Sequence, residues 1–439
     1  MILRATVLPA MLGTDRQVVV LALARMADAV ANSFLIIVLP LYIASGDLAV
    51  PTLEGATVAG YPLTTELLIG FALSLFGFFN SSFQPLTGRI SDRTGRRKVF
   101  ILLGLVVLAV TAVGYALVDT YEALVVVRAI QGLGGALVIP TTIALVNDLA
   151  RSDAERGGNF GVFNTFRLVG FGFGPIVAGL VVKGGPYPLA DGITLSGFDA
   201  AFGVAVLGAL VSFTLVLVLI EEPDVTAADA GEDLSIAVRG EEAGRLLDPV
   251  FVLGLGTFLM AVSIALYATL EKPINARLGQ GPLWFGVQFA AVVIANVVLQ
   301  VPIGRAADRV GRKPFLVGGL VVLAPAVLAQ GLVTSPWTML VARLFHGVSV
   351  AMVFAPALAV AGDLAEEGQS GTTLSVLTMA FGLGTAVGPL ASGLLFGFGF
   401  VVPFAFGAVL ALAALALVVT QVEETLEGAR LPSFVPGGD

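Results

Sequence analysis

The sequence predicts an all-α membrane protein with twelve transmembrane helices in two pseudo-symmetric six-helix bundles. Apolar residues make up 57% of the 439 residues and charged residues 12%, whereas a soluble domain carries about 25% charged residues. Apolar runs of about 20 residues, long enough to cross a hydrocarbon core, alternate with short polar breaks. A strongly charged stretch that begins at Gly88 recurs at Gly304. Such a repeat indicates a duplicated multi-helix unit.

The apolar runs predict twelve spans, which we number in chain order. Each needs about 20 helical residues to cross a core of roughly 30 Å. The predicted spans cover residues 17–44, 66–88, 99–118, 122–148, 160–182, 200–220, 249–270, 284–304, 315–333, 337–362, 371–396 and 401–421. The first run is too long for a signal-peptide core and lacks a cleavage-site pattern, so we expect it to remain as span 1.

The spans divide the chain into two bundles and three polar segments. Residues 17–220 form the first half and residues 249–421 the second, joined by the acidic linker 221–248. The segments 1–16 and 422–439 flank them.

Lys and Arg lie mainly on one side of the predicted membrane. With both termini in the cytoplasm, sixteen lie inside: Arg4, Arg16, Arg89, Arg93, Arg96, Arg97, Lys98, Arg151, Arg156, Arg239, Arg245, Arg305, Arg309, Arg312, Lys313 and Arg430. The outer loops hold three: Lys183, Lys272 and Arg277. We therefore expect a multi-pass protein of the cell membrane with cytoplasmic termini.

Two charged connectors occupy equivalent places in the two halves. The first charged connector, residues 88–97, has the sequence GRISDRTGRR, and the second, residues 304–313, has GRAADRVGRK. We expect Gly88 and Gly95 to permit a tight turn. Asp92 is expected to join a charge-assisted network with the surrounding Arg and Lys.

Polar residues repeat inside spans 2 and 8 at the same offset of 216 residues. Asn80 matches Asn296, and Gln84 matches Gln300. Their spacing puts them on one face of each helix, together with the connector glycine. Such side chains face protein or water rather than lipid. They either hold the two halves together or line a cavity, and the sequence leaves both interpretations open.

Three motifs resemble those of the major facilitator superfamily. The connectors are similar to its cytoplasmic signature between spans 2 and 3, with its repeat between spans 8 and 9. Residues 128–136 of span 4, RAIQGLGGA, are similar to its Arg-x-x-Gln-Gly pattern. Residues 170–179 of span 5, GFGFGPIVAG, resemble the Gly-x-x-x-Gly-Pro motif of its antiporter branches. The resemblance covers essentially the whole chain and implies the major facilitator fold.

The resemblance also implies that the connectors control conformational switching. Asp92 would lock the outward-facing state through neighbouring helix ends and release during the cycle. A topology anchor is the alternative. The candidate switch residues are Gly88, Asp92, Arg93, Gly95, Arg96, Gly304, Asp308, Arg309, Gly311 and Arg312.

The glycines of span 5 predict close helix packing. The motif residues are Gly170, Gly174, Pro175 and Gly179. The glycines present small faces, and the proline removes one hydrogen bond and can bend the span. The resemblance implies a seal between the halves that limits leak and favours exchange over symport, with generic packing as the alternative. For the copy at residues 384–393 of span 11, we expect packing alone.

Charged side chains predicted inside spans are few, and they are functional candidates because burying them is costly. They are Arg25, Asp28, Arg128, Arg167 and Arg343. Arg25 precedes Asp28 by one turn, so the two can share a face. Burial and a nearby Arg act in opposite directions on a carboxyl's proton affinity. Asp28 is therefore a candidate proton-binding residue, and a static pair with Arg25 or Arg128 is the alternative.

In the antiporters that the chain resembles, an acid of span 1 and the Arg of span 4 serve in coupling. The resemblance extends this role to Asp28 and Arg128, with Arg25 as a third proton-coupling candidate. The second half repeats the Arg as Arg343, but span 7 shows no acid at a comparable depth. Four acids fall close to span boundaries: Glu66, Asp119, Glu122 and Glu271.

Polar residues in the spans give the substrate-cavity candidates. They are Asn32, Asn80, Gln84, Gln131, Asn164, Arg167, Asn296, Gln300, Arg343 and His346. If the arginines face the cavity, an anionic or polar substrate is favoured. His346 replaces Gln131 at the repeat position, and we expect it to be a packing residue, with titration near neutrality as the alternative.

These features predict a secondary active transporter, most simply for proton-coupled export of a small organic solute or drug. The alternative is a proton symporter or facilitator that takes up a sugar or organic anion. A sensor would need a large soluble output domain, and no catalytic or nucleotide-binding motif supports an enzyme or an ATP-driven pump. With no Cys and one His, we expect no metal and no cofactor. We expect a monomer in the lipid bilayer whose partners are protons and a small-molecule substrate, with no nucleic acid.

Overall fold

The computed structural model describes residues 14–50, 56–58, 60–150, 152–188, 194–222, 238–239, 246–364 and 370–426. Across these ranges, twelve spans are long and apolar enough to cross a membrane. The predicted all-α fold class is confirmed. Most of the segments 1–16, 221–248 and 422–439 lies outside the described residues, so the division into domains stays a prediction.

Eleven spans are single helices and span 7 is broken. Spans 1–6 are Arg16–Ser45, Thr65–Thr94, Arg97–Leu117, Tyr121–Asp148, Asp153–Gly184 and Gly197–Leu219. Span 7 consists of a helix Pro249–Ala265, a 3-10 segment Leu266–Leu270 and a helix Glu271–Leu278. Spans 8–12 are Pro282–Val310, Arg312–Leu332, Pro336–Asp363, Ser370–Phe396 and Val402–Gln421.

Two short antiparallel hairpins lie between spans. Strands β1 (Thr57–Val58) and β2 (Tyr61–Pro62) pair between spans 1 and 2. Strands β3 (Tyr187–Pro188) and β4 (Thr194–Leu195) pair between spans 5 and 6. Both hairpins lie at the end of the molecule away from the charged connectors, which we call the far end. The other end is the connector end.

Spans 2 and 8 continue as helices through most of the charged connectors. Span 2 ends at Gly95 with φ 65°, and span 8 ends at Gly311 with φ 126°. Glycine suits both positions because positive φ is costly for other residues. The turn expected at Gly95 is confirmed, whereas the one at Gly88 is wrong because Gly88 lies inside the helix. Span 2 can remain helical through the charged residues after Gly88, because their side chains extend into water at the membrane boundary.

Spans 3 and 9 begin in the same way. Neither is capped by its own preceding side chain. Instead, Glu222 accepts a hydrogen bond from the Lys98 backbone N–H at 3.0 Å. Glu424 accepts from the Arg312 and Lys313 N–H groups at 3.0 and 2.9 Å. A carboxylate from beyond the sixth span of each half therefore satisfies a helix N-terminus.

The two halves repeat one packing scheme. Span 1 packs against spans 5 and 6, span 4 against spans 2 and 3, and span 3 against span 6. Spans 7–12 make the equivalent contacts. Across the halves, span 2 packs against span 11 and span 5 against span 8. This exchange of equivalent pairs is the signature of a pseudo-twofold axis between the halves.

Contacts between the halves are concentrated in the far half of the spans. Leu39 of span 1 and Ile69 of span 2 belong to one buried apolar cluster with Leu270 and Ile274 of span 7. The charged connectors bond within their own halves. The structure is therefore closed at the far end.

Candidate functional site

Asp28 is held inside the first half by two neighbours on span 1. Its carboxylate forms an ion pair with Arg25 through Oδ2. Asn32 Nδ2 donates a hydrogen bond to Oδ1 at 3.1 Å. Asp28 is 1% exposed and Arg25 is 8% exposed. The predicted shared face thus becomes a buried, hydrogen-bonded charge pair.

A small void borders this pair within the first half. Residues of spans 1, 3, 4 and 6 line it: Leu21, Ala24, Arg25, Asp28, Ile101, Val138, Thr142, Ser212 and Val216. The Thr142 hydroxyl donates to the Val138 carbonyl oxygen at 2.6 Å, within its own helix. The pair therefore faces the interior of its own half.

Two motif glycines press span 5 against span 1 on either side of Asp28. A methyl group on Gly170 would lie 2.4 Å from the Met26 carbonyl oxygen. One on Gly174 would lie 2.6 Å from the Val30 carbonyl oxygen. Neither site has room for a side chain, so the two backbones approach as closely as helices can.

The next part of the motif contacts the other half. A methyl group on Gly179 would lie 2.8 Å from Leu283 Cα of span 8. One on Gly286 of span 8 would lie 2.4 Å from the Pro175 carbonyl oxygen. Span 5 therefore connects the helix that carries Asp28 directly to the second half.

The copy in span 11 makes both kinds of contact as well. A methyl on Gly388 would lie 2.7 Å from the Val262 carbonyl oxygen of span 7. One on Gly393 would lie 2.4 Å from the Glu66 carbonyl oxygen of span 2. The copy in span 11 therefore packs both within the second half and against the first half.

Arg128 of span 4 is bound within a polar cluster and not to Asp28. Its Nη1 donates to Gln131 Oε1 at 2.7 Å. The same oxygen accepts from the Tyr115 hydroxyl at 2.7 Å. The guanidinium lies 4.9 Å from the centre of the Phe76 ring, within cation–π range. In this conformation, the ion pair of Asp28 is with Arg25.

Arg343 of span 10 occupies the equivalent cluster in the second half. Its Nε donates to the Gln288 carbonyl oxygen at 3.1 Å, and its guanidinium lies 4.0 Å from the Tyr267 ring centre. Gln330 Oε1 accepts from Arg343 at 3.4 Å, and its Nε2 donates to His346 Nδ1 at 3.0 Å. The proton of a neutral His346 therefore lies on Nε2.

The arginine clusters are closed to solvent in this conformation. Arg128 is 3% exposed and Arg343 is 1% exposed. Arg167 is only partly buried and donates to Asn164 Oδ1 at 2.8 Å. Of the three arginines, Arg167 is the least buried.

Among the polar residues of spans 2 and 8, Asn80 has a defined neighbour in its own half. Asn80 is buried beside Gly135 of span 4, in its own half. The Oδ1 atoms of Asn80 and Asn296 are buried without a hydrogen-bond partner among the described residues. Gln84 and Gln300 are partly buried. Interhelical packing within one half, which the sequence did not suggest, describes Asn80 best.

In the first connector, Arg97 bridges two acids, and it was not among the predicted switch residues. Arg97 forms an ion pair with Asp92 and another with Asp148, whose Oδ2 lies 3.0 Å from Arg97 Nε. Arg93 and Arg96 are exposed. The partner Asp148 lies at the end of span 4, too far along the sequence for the motif to reveal it.

In the second connector, Arg312 makes the same pair of contacts. Asp308 Oδ1 lies 3.3 Å from Arg312 Nε, and Asp363 of span 10 forms the second ion pair. Arg309 is exposed. Structurally, Arg97 corresponds to Arg312, an offset of 215 rather than the 216 that aligns the connectors. The same offset of 215 relates Arg128 to Arg343. Applied to Arg312, this offset would have identified Arg97 from the sequence.

Glu271 is a second buried acid that sequence reasoning placed at a boundary. The predicted span 7 ended at residue 270, but the structure continues it to Leu278. Glu271 is 0% exposed, and both carboxylate oxygens lack a hydrogen-bond partner among the described residues. The 3-10 segment before it changes the helical period, so apolar periodicity alone does not predict its burial.

Comparison with known proteins covers both halves. The profile of the Major Facilitator Superfamily matches residues 21–252 and 251–434. The human organic anion transporter TETRAN superposes with a TM-score of 0.65 at 24% identity, covering 91% of this chain and 98% of that one. This likeness shows the shared fold.

Sequence relatives match over shorter regions. An MFS-type transporter of Methanocaldococcus jannaschii is 27% identical over 182 residues, which is 41% of this chain and 47% of the relative. Multidrug resistance protein 2 of Bacillus subtilis is 30% identical over 141 residues, which is 32% of this chain and 35% of the relative. The chain thus matches less than half the length of these curated relatives.

Proposed function

This chain belongs to the major facilitator superfamily of membrane transporters, and we propose that it exports a small organic solute or drug in exchange for protons. The observation that carries the proposal is Asp28, an acid buried in mid-span and held by Arg25 and Asn32. Such a group is costly to bury and is a functional candidate in a membrane protein. A partial match to a multidrug resistance protein supports an organic solute or drug as the substrate.

The packing supports a mechanical link between Asp28 and alternating access. Gly170 and Gly174 hold span 5 on span 1, and Gly179 holds it on span 8. When the halves separate at the far end, span 5 must leave span 8 or pull on span 1. Either movement changes the surroundings of the Arg25–Asp28 pair. Because burial and the nearby cation set the proton affinity of a carboxyl, such a movement can bind or release a proton.

The conformation fits one stage of this cycle. We place the connector end in the cytoplasm of the cell because Lys and Arg are concentrated there. Closure at the far end then makes this structure inward-facing. In this stage Asp92 bonds to Arg97, which also bonds to Asp148 of the same half. The proposed outward-facing lock would require Asp92 to exchange this partner for groups of the opposite half.

The test uses inside-out membrane vesicles acidified by respiration, with a fluorescent pH probe inside. A panel of drugs, sugars and organic anions is added to the wild type and to Asp28→Asn. We expect at least one compound to cause proton efflux in the wild type, and none to do so in Asp28→Asn. The matched control is Asp47→Asn, an exposed acid two residues beyond the far end of span 1, which should behave as wild type.

Direction is tested by reversing the vesicles. Right-side-out vesicles with an inward proton gradient would accumulate a sugar or organic anion if the protein were an uptake symporter. Such accumulation, with no compound-dependent proton efflux in inside-out vesicles, would replace the export proposal by the uptake alternative. Full coupling in Asp28→Asn would remove Asp28 from the proton-binding role.

A further inference from the structure

Glu271 is a buried acid that the proposed cycle leaves unused. Like Asp28, it is almost completely shielded from solvent, but its environment differs. Asp28 has an ion pair and a hydrogen bond. Neither oxygen of Glu271 has a hydrogen-bond partner among the described residues, and its exposure is 0%.

Glu271 lies where the two halves close on each other. The 3-10 segment just before it packs against spans 1, 2 and 11, and the helix that it begins packs against spans 1 and 8. Its neighbours Leu270 and Ile274 share a buried apolar cluster with Leu39 and Ile69 of the first half. The carboxyl group is therefore enclosed by the closed far end itself.

No charged group in the described residues compensates Glu271. In the far halves of spans 1, 2, 7 and 10, the ionisable side chains other than Glu271 are Tyr42 on span 1, Glu66 on span 2, Tyr267, Lys272 and Arg277 on span 7, and Arg343 and His346 on span 10. None of them forms a hydrogen bond or ion pair with Glu271. Lys272 is exposed, Arg277 donates to the Val333 carbonyl oxygen at 3.3 Å, and Tyr42 donates to the Val118 carbonyl oxygen at 3.2 Å. The far halves of spans 8, 11 and 12 carry no ionisable residue.

The protonation state follows from the cost of burial. An ionised carboxylate without a counter-charge or hydrogen bonds costs several kcal/mol in a low-dielectric interior. The neutral acid costs much less, so the closed arrangement strongly favours the protonated form. When the far end opens, water reaches the carboxyl group and the penalty disappears.

We propose that Glu271 is a second proton-binding residue, which takes up a proton as the far end closes and releases it as that end opens. One proton from the aqueous phase joins one carboxylate oxygen on closure and returns on opening. The inference rests on alternating access from the proposed function, but on neither Asp28 nor a particular substrate. Closure of the far end should therefore depend on pH even without substrate.

The test uses cysteine accessibility, since the chain has no Cys of its own. Leu39→Cys places one thiol in the closed cluster, where Leu39 is 0% exposed. A membrane-impermeant maleimide is applied from the far-end side at about pH 5.5 and about pH 8.5, on either side of neutrality. The labelling rate is divided by that of Ser45→Cys, an exposed site on the same span, which corrects for the reactivity of the thiolate.

We expect this ratio to rise roughly tenfold with pH when Glu271 is present, an effect typical of a coupled conformational equilibrium. In Glu271→Gln, a mimic of the neutral acid, the ratio should stay low at both pH values. Glu271→Met is the second variant if Gln fails to fold. Asp28→Asn should keep the pH dependence, which separates this proposal from the coupling role of Asp28.

Two results would overturn the proposal. One is a ratio that does not change with pH when Glu271 is present, an outcome that needs no variant at position 271. The other is an equal rise with pH in Glu271→Gln. If the labelling behaves as expected while the vesicles show no compound-driven proton movement, the Glu271 switch stands and the exporter proposal fails.

Discussion

The two halves share their packing but not their acids. Gly174 and Gly388 make equivalent contacts within each half, and Gly179 and Gly393 make equivalent contacts across the halves. The first half places its acid in mid-span with an Arg partner, whereas the second places Glu271 near the far end with none. The duplicated unit has thus kept its scaffold while its ionisable groups diverged, so packing and chemistry must be tested separately.

The arginine clusters show which features the scaffold retains. In the first half, Tyr115 bonds to Gln131, and at the equivalent positions of the second half, Gln330 bonds to His346. Both members of the pair differ between the halves, yet the hydrogen bond is present in each. This pattern indicates that the bond between spans 3 and 4, and between spans 9 and 10, serves packing.

The largest effect is expected at the close contacts that the halves share. Gly174→Ala and Gly388→Ala should each destabilise the protein by about 1–3 kcal/mol, because the added methyl meets a backbone carbonyl oxygen. Thermal unfolding in detergent measures this. Gly203→Ala in span 6 is the control, since nothing lies within 4 Å of the added group. If only one of Gly174→Ala and Gly388→Ala lowered stability, the two glycines would not be equivalent in the two halves.

A smaller effect is expected at the charged connectors. Arg97→Ala should lower stability by about 1–2 kcal/mol and slow transport, because Asp92 and Asp148 lose their shared partner. Solvent screens the Arg97–Asp92 ion pair and weakens its contribution, because the Asp92 side chain is 40% exposed. Thermal midpoints and transport rates provide the measurement. Arg312→Ala should behave alike.

The exposed neighbours Arg96→Ala and Arg309→Ala are the controls for the connectors. Each should change stability by no more than about 0.5 kcal/mol. If Arg96→Ala were as harmful as Arg97→Ala, the correspondence of Arg97 with Arg312 would be wrong. The switch would then depend on positive charge in general and not on one bridging side chain.

The smallest effect is expected at His346. His346→Gln places the first half's residue in the second half, opposite a Gln330 that can still donate to a side-chain oxygen. We expect a stability change below about 1 kcal/mol, as for other volume-conserving exchanges. The pH profile of transport should not change. A shifted profile would show that His346 titrates during the cycle and would add a chemical difference between the halves.

Much of this architecture follows from the sequence. Apolar runs predict the twelve spans because lipid requires long apolar helices. The spacing of Arg25 and Asp28 predicts that they share a face because helical periodicity is local. By contrast, the ion pair of Arg97 with Asp148 joins residues on different helices. The burial of Glu271 depends on a 3-10 segment and on the opposite half, and neither is encoded in local periodicity.

Proton release from the purified protein tests whether Asp28 is the coupling acid. A compound active in the vesicles is added to the protein in weakly buffered detergent solution, and a pH indicator follows the change. If Asp28 binds the exchanged proton, we expect proton release from the wild type and from Asp47→Asn, and none from Asp28→Asn. Undiminished release from Asp28→Asn, with the compound still bound, would contradict it.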